Sequence, residues 1–90
     1  MTRRSRLQVY LEVLSVIKSG TDKPTRIMSG ANISWKPLQE ILASLVSRGL
    51  ITEIEPEYRD KRTTRTYRIT EKGDNVLMYF IRMEQLLVVK

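Results

Sequence analysis

The chain predicts an α+β fold, mostly α, built of three helices, a short β-hairpin and a last helix. Apolar residues recur at three- and four-residue intervals through 7–17, 38–46 and 76–88, the spacing of one helical face. Residues 51–55 are rich in β-branched side chains and 67–70 alternate apolar with polar ones, as strands do. Gly20 and Gly49 fall where helices should end, and Pro24 and Pro37 where they should begin. At 90 residues the chain implies one domain, small enough that its own core is marginal and a partner subunit would help. Residues 1–70 would form the helix-and-hairpin part and 71–90 the C-terminal helix of that single compact unit.

The first helix starts where Ser5 is followed three residues later by Gln8, a capping-box spacing in which each side chain satisfies a backbone donor at the other end. Leu7, Leu11, Leu14 and Ile17, with Tyr10, make one apolar face, and Val9, Val13 and Val16 widen it until contact on two sides is implied. Residues 19–22 (SGTD) end this helix, and Pro24 suits the first turn of the next, where its missing N–H has no helical partner. The second helix is expected over residues 25–29, with Ile27 and Met28 as buried anchors, and residues 30–33 (GANI) as the turn after it. Ser34 is placed to cap a third helix that runs to Arg48, with Pro37 tolerated in its first turn. Leu38, Ile41, Leu42, Leu45 and Val46 should face the core, and Lys36, Gln39, Glu40, Ala43 and Ser47 should face out. Gly49 sits where a left-handed residue closes a helix, with Leu50 as its hydrophobic companion.

Residues 58–68 (YRDKRTTRTYR) gather Arg59, Lys61, Arg62, Arg65 and Arg68 between two strand-like segments. Three helices with a tight turn before the third, followed by such a hairpin, are the outline of a winged helix-turn-helix. In that arrangement the third helix enters the major groove with its N-terminal residues foremost and the wing meets the phosphate backbone. Double-stranded DNA is therefore the expected partner, in keeping with a formal charge of +6. The expected contacts are Ser34, Trp35, Lys36 and Gln39 on the helix, with Arg59, Lys61, Arg62, Arg65 and Arg68 on the wing. Trp35 has a second reading, as a staple packed on the second helix. Period two sends Tyr67 and Ile69 inward and Arg68 outward; Arg65 shares the face of Tyr67 but lies beyond the core, near the tip. Glu53, Glu55, Glu57 and Asp60 offer the wing another fate, a salt-bridged hairpin whose cations are neutralised across the strands. The rival function is a winged-helix interaction module docking on an acidic protein.

Thr70 opens the last helix, and Glu71 in its first turn suits the helix dipole. Val76, Phe80, Met83 and Leu87 form one apolar stripe, Leu77, Ile81 and Val88 a second beside it. A chain this short cannot cover both. A homodimer through Val76, Leu77, Phe80, Met83 and Leu87 is expected, in a coiled-coil-like pairing, the alternative being that the helix folds back over Val9, Val13 and Val16. The chain has no cysteine and no histidine, which removes disulfides, thiolate and imidazole metal sites and the commonest general base. Neither an enzyme nor a metal or other cofactor is expected. Gln8, Glu12 and Ser15 interrupt the first apolar segment, and no run approaches the roughly 18 apolar residues of a membrane span. A cytoplasmic, nucleoid-associated protein is expected.

The run 23–34 (KPTRIMSGANIS) and the strand-plus-cap sequence 67–73 (YRITEKG) resemble archaeal winged-helix DNA-binding proteins, notably the ten-kilodalton chromatin-associated type of thermoacidophiles. The resemblance covers nearly the whole chain. It implies a winged helix-turn-helix dimerised by antiparallel pairing of the C-terminal helices, binding duplex DNA with little or modest sequence preference, as a transcription regulator or chromatin-type architectural protein. Two departures stand out: the last helix is shorter than the long rod of that group, and the wing is longer and more basic.

Overall fold

The computed structural model describes residues 4–55 and 65–87 and runs α1 (Arg6–Lys18), α2 (Pro24–Ala31), α3 (Trp35–Ser47), β1 (Ile51–Ile54), β2 (Thr66–Ile69) and α4 (Glu71–Leu87). The capping box of α1 forms as its spacing predicts. The Gln8 N–H donates to Ser5 Oγ at 3.1 Å and the Ser5 N–H to Gln8 Oε1 at 2.8 Å.

Backbone bonds of one pattern close each of the first three helices. A left-handed residue follows each of them: Gly20 (φ 108°), Asn32 (φ 52°) and Gly49 (φ 74°). In each case its N–H and that of its successor turn back to carbonyls of the last turn, as in Gly49 to Val46 at 2.9 Å and Leu50 to Leu45 at 3.0 Å. Asn32 makes the same pair of bonds to Ser29 at 3.2 Å and, through Ile33, to Met28 at 3.1 Å. This moves the end of α2 beyond the expected 25–29. Gly30 and Ala31 are helical because Ala31, one turn after Ile27, is buried with it in the core, and because Gly30 admits a close approach of α1. A Cβ at Gly30 would lie 2.9 Å from Val16 Cγ1.

The core joins Val13, Leu14 and Ile17 of α1, Ile27 and Ala31 of α2, and Leu38, Ile41, Leu42 and Leu45 of α3; Ile51, Tyr67 and Leu77 complete it from the hairpin and α4. Val46, expected inside, is instead 36% exposed. It lies eleven residues, about three turns, after Trp35 and so shares that outward arc. Leu7, also expected on the apolar face of α1, is 51% exposed.

β1 and β2 pair antiparallel, with Ile51 opposite Ile69 and Glu53 opposite Tyr67. Period two then carries Ile51, Ile69 and Tyr67 toward the helices, and Thr52 and Arg68 away. The other edge of β2 is not left bare: the Tyr67 N–H donates to the Asp22 carbonyl at 3.0 Å, so the loop between α1 and α2 adds a backbone partner.

α4 begins on the turn that ends α3. The Thr70 N–H donates to the Leu50 carbonyl at 3.0 Å, its hydroxyl lies 2.7 Å from the Gly49 carbonyl, and its Oγ1 accepts the Gly73 N–H at 3.0 Å. Lys72 reaches the Arg48 carbonyl at 3.0 Å, and Lys18 pairs with Asp74 across to the end of α1. Leu77 is the one large α4 side chain fully inside, Val76 and Phe80 are half-buried, and Met83 and Leu87 are exposed. α4 packs against α1 of its own chain. It borders Leu7, Leu11 and Ser15, leaving an open apolar groove of about 510 Å³ that Leu77, Phe80, Ile81 and Met83 line from its side.

Gly73 is the tightest point of this junction, since a Cβ there would penetrate the Leu50 carbonyl oxygen and lie 2.8 Å from Ile69 Cγ1. Gly73→Ala should therefore lower stability by roughly 2 to 3 kcal/mol in urea unfolding. Gly49→Ala meets no atom and strains only φ, so about 1 kcal/mol is expected. Equal losses in the two variants would refute the close packing at Gly73.

Candidate nucleic-acid interface

α3 opens on a serine hydroxyl that does not cap the helix. Ser34 has the extended backbone of an N-cap (φ −77°, ψ 166°), yet its side chain makes no capping bond. The reason is Pro37: it occupies the third helical position, whose N–H an N-cap side chain would ordinarily receive, and proline has none. The Ser34 carbonyl still accepts the Leu38 N–H at 3.1 Å, so the helix starts normally. Beside it Trp35 is 50% exposed and Lys36 is exposed, while Gln39 is half-buried. Trp35 thus stands at the edge of the surface, bordering Pro24 of α2 on one side and open to solvent on the other.

An open groove of about 560 Å³ separates this face from the hairpin. Trp35, Gln39, Ala43 and Val46 line it from α3, and Glu53, Arg65 and Tyr67 from the hairpin side. Those three residues are linked. The Tyr67 hydroxyl donates to Glu53 Oε1 at 3.0 Å, and Arg65 Nη1 lies 3.3 Å from Glu53 Oε2. Burial, then the hydrogen bond to Glu53 and that residue's negative charge, hold the Tyr67 phenol above its ordinary value of 10.0 against a smaller opposing effect of Arg65.

Of the expected contact residues, the structure brings Ser34, Trp35, Lys36 and Gln39 together on one turn and a half of helix and sets Arg65 across the groove from them. Arg68 is exposed on the opposite face of the hairpin, across from Thr52. Arg59, Lys61 and Arg62 lie outside the described residues. Sequence reasoning missed two features. Lys23 and Arg26 are exposed around Pro24, which itself borders the groove; their place in the first turn before and within α2 was the available signal. Glu53 reads in the sequence as one of several acids, and only the register that sets it opposite Tyr67 singles it out. Arg4, by contrast, is spent on structure: it donates to the Ala31 and Asn32 carbonyls at 2.7 Å each and pairs with Glu12, closing the end of α2.

A profile of winged helix-turn-helix proteins matches residues 3–87. The chain belongs to the winged helix-turn-helix family. It is 32% identical over 71 residues to an uncharacterised protein, MJ0287, of the archaeon Methanocaldococcus jannaschii, a match that spans 79% of this chain and 64% of that protein. Among solved structures, the winged helix here superposes on the zinc-responsive MarR family member ZitR of Lactococcus lactis with a TM-score of 0.72, at 18% identity, covering 93% of this chain and 57% of that one. FabT of Streptococcus pneumoniae, solved in complex with DNA, gives 0.70 at 19% identity, covering 94% and 62%. At these identities the likeness is one of fold, and the chain spans about three fifths of the length of either structure. No helix among the described residues is long and apolar enough to cross a membrane.

The raised phenol of Tyr67 sets a direction for stability against pH. A folded-state value above that of the unfolded chain means that the neutral phenol stabilises the fold fully below about pH 10, and that this contribution disappears as pH climbs through the raised value. Denaturation at increasing alkaline pH should show a steeper loss in the parent than in Tyr67→Phe, which has no proton to lose there. Superimposable curves would remove the Tyr67–Glu53 bond from the folded state.

Proposed function

We propose that this winged helix is a non-enzymatic, duplex DNA-binding transcription regulator that seats α3 in the major groove and its basic hairpin on the phosphate backbone. One observation carries most of this reading: the start of α3 offers an uncapped serine hydroxyl, an exposed lysine and, in its second turn, the half-buried amide of Gln39, beside a hairpin that bears Arg65 and Arg68. Hydroxyl and ammonium groups suit phosphates, and a glutamine amide suits the paired donor and acceptor of adenine. The net charge of +6 and the likeness of the fold to FabT, solved with DNA, support it. Arg59, Lys61 and Arg62 would add the wing's share through charge. A chromatin-type protein would use the same phosphate contacts and differ in treating all duplexes alike. The rival interaction module would need an acidic partner to settle on a groove that already holds Glu53.

The functional unit is proposed to be a homodimer through α4. Phe80 and Val76 are half-buried, while Ile81, Met83, Leu86 and Leu87 are exposed, an apolar surface that a second copy would cover. Two linked winged helices bind more tightly than one through effective concentration alone.

Titration of purified protein on random and genomic duplexes at several salt concentrations tests the DNA reading. Lys36→Ala should weaken binding to all sequences and flatten the slope of log K against log salt by up to about 0.9, whereas Gln39→Ala should change preference among sequences by about 1 to 3 kcal/mol. Binding untouched by either change would take α3 out of the major groove. A parent that binds no duplex would leave the interaction module standing.

The dimer is checked by light scattering. The parent should weigh twice its chain mass of 10.5 kDa, and Phe80→Glu, which sets a carboxylate in the interface on both sides of a two-fold axis, should halve that value or unfold the protein. A parent mass of 10.5 kDa would eliminate the paired mechanism.

A further inference from the structure

We propose that Glu53 is an affinity brake built into the DNA-binding face: its carboxylate holds Arg65, so that a backbone phosphate must compete with Glu53 for that guanidinium. The inference rests on the DNA-binding reading above. The pairing of β1 with β2 sets Glu53 opposite Tyr67, whose hydroxyl holds Oε1 at 3.0 Å and leaves Oε2 to Arg65 at 3.3 Å. The same carboxylate lines the groove that Trp35, Gln39 and Ala43 line from α3, which places it between the two elements offered to the duplex. It is the one acidic residue among the described residues that line the groove.

Exposure divides the partners. The Arg65 side chain is 59% exposed and open to an arriving phosphate, whereas that of Glu53 is 30% exposed and anchored by Tyr67. Glu53 therefore stays when Arg65 moves. Its fixed negative charge opposes every phosphate that enters the groove and offsets the charge that Arg65 contributes. An amide oxygen at the same position would still accept the Tyr67 hydroxyl, so the charge can be removed while that contact is kept. The Glu53 carboxylate thus lowers affinity for all duplexes together, keeping binding weak and reversible where a neutral residue would not.

The test compares the parent, Glu53→Gln and the double variant Glu53→Gln/Arg65→Ala on one random-sequence duplex across a range of salt. Glu53→Gln should bind about threefold to tenfold tighter at low salt, from release of the exposed pair and removal of the repulsion. The advantage should shrink as salt rises, with the slope of log K against log salt steeper by up to about 0.9 for the one further phosphate that Arg65 then neutralises. The double variant should return to the parent's affinity, since the pair and its double replacement both present no net charge. Thermal unfolding verifies that each variant folds, and Glu53→Thr makes the same charge change on a stronger strand former should the glutamine variant fail. A parent that binds while Glu53→Gln and Glu53→Thr bind equally well or more weakly overturns the brake alone. A parent with no salt-dependent binding overturns the DNA reading, and the brake with it.

Discussion

The Leu50 carbonyl is the point on which this small fold turns. It accepts the Thr70 N–H, lies within reach of the Thr70 hydroxyl, and is the atom against which Gly73 closes. Leu50 itself belongs to the turn that ends α3, its N–H returning to Leu45. One residue therefore closes α3, leads into the hairpin and seats the last helix. A domain of 90 residues buries too little apolar area to fix the angle of α4 by packing alone, and Leu77 is the only large α4 side chain fully inside. Backbone hydrogen bonds and a missing Cβ supply the orientation instead. The ion pair of Lys18 with Asp74 and the bond from Lys72 to the Arg48 carbonyl reinforce it from two other elements.

The basic residues divide by task. Arg4, Lys18 and Lys72 join parts of the chain to one another, each at a helix end where carbonyls or a carboxylate await a cation. Arg65 is held by Glu53. Lys23, Arg26, Lys36 and Arg68 remain on the surface around the groove and hairpin. The net charge of +6 is thus an incomplete guide to what the surface offers a polyanion.

Much of the fold was legible because short-range rules governed it. The capping box at Ser5 and Gln8, the left-handed Gly49 and the alternation that buries Tyr67 each depend on residues within a few positions of one another. The failures arose where a rule met a second constraint. Gly30 reads as a turn residue but serves as the place where Val16 of α1 comes close, and only the tertiary packing reveals it. Ser34 has the identity of a cap and loses the bond because Pro37 removes the donor, a conflict visible in the sequence once the two positions are counted together. Val46 has core chemistry but shares the helical arc of Trp35, and it lines the groove beside the hairpin instead of the core. For the candidate site, the cluster at the start of α3 was readable from helical phase, whereas the Glu53, Tyr67 and Arg65 network required the strand register.

The three backbone-made helix ends free the side chains between them. Asn32 and Gly49 bracket α3 through main-chain bonds, Leu38, Ile41, Leu42 and Leu45 hold it to the core, and the side chains at positions 36, 40, 43 and 47 are exposed. The outward face of α3 is a surface whose residues can be exchanged one at a time while the scaffold beneath stays constant.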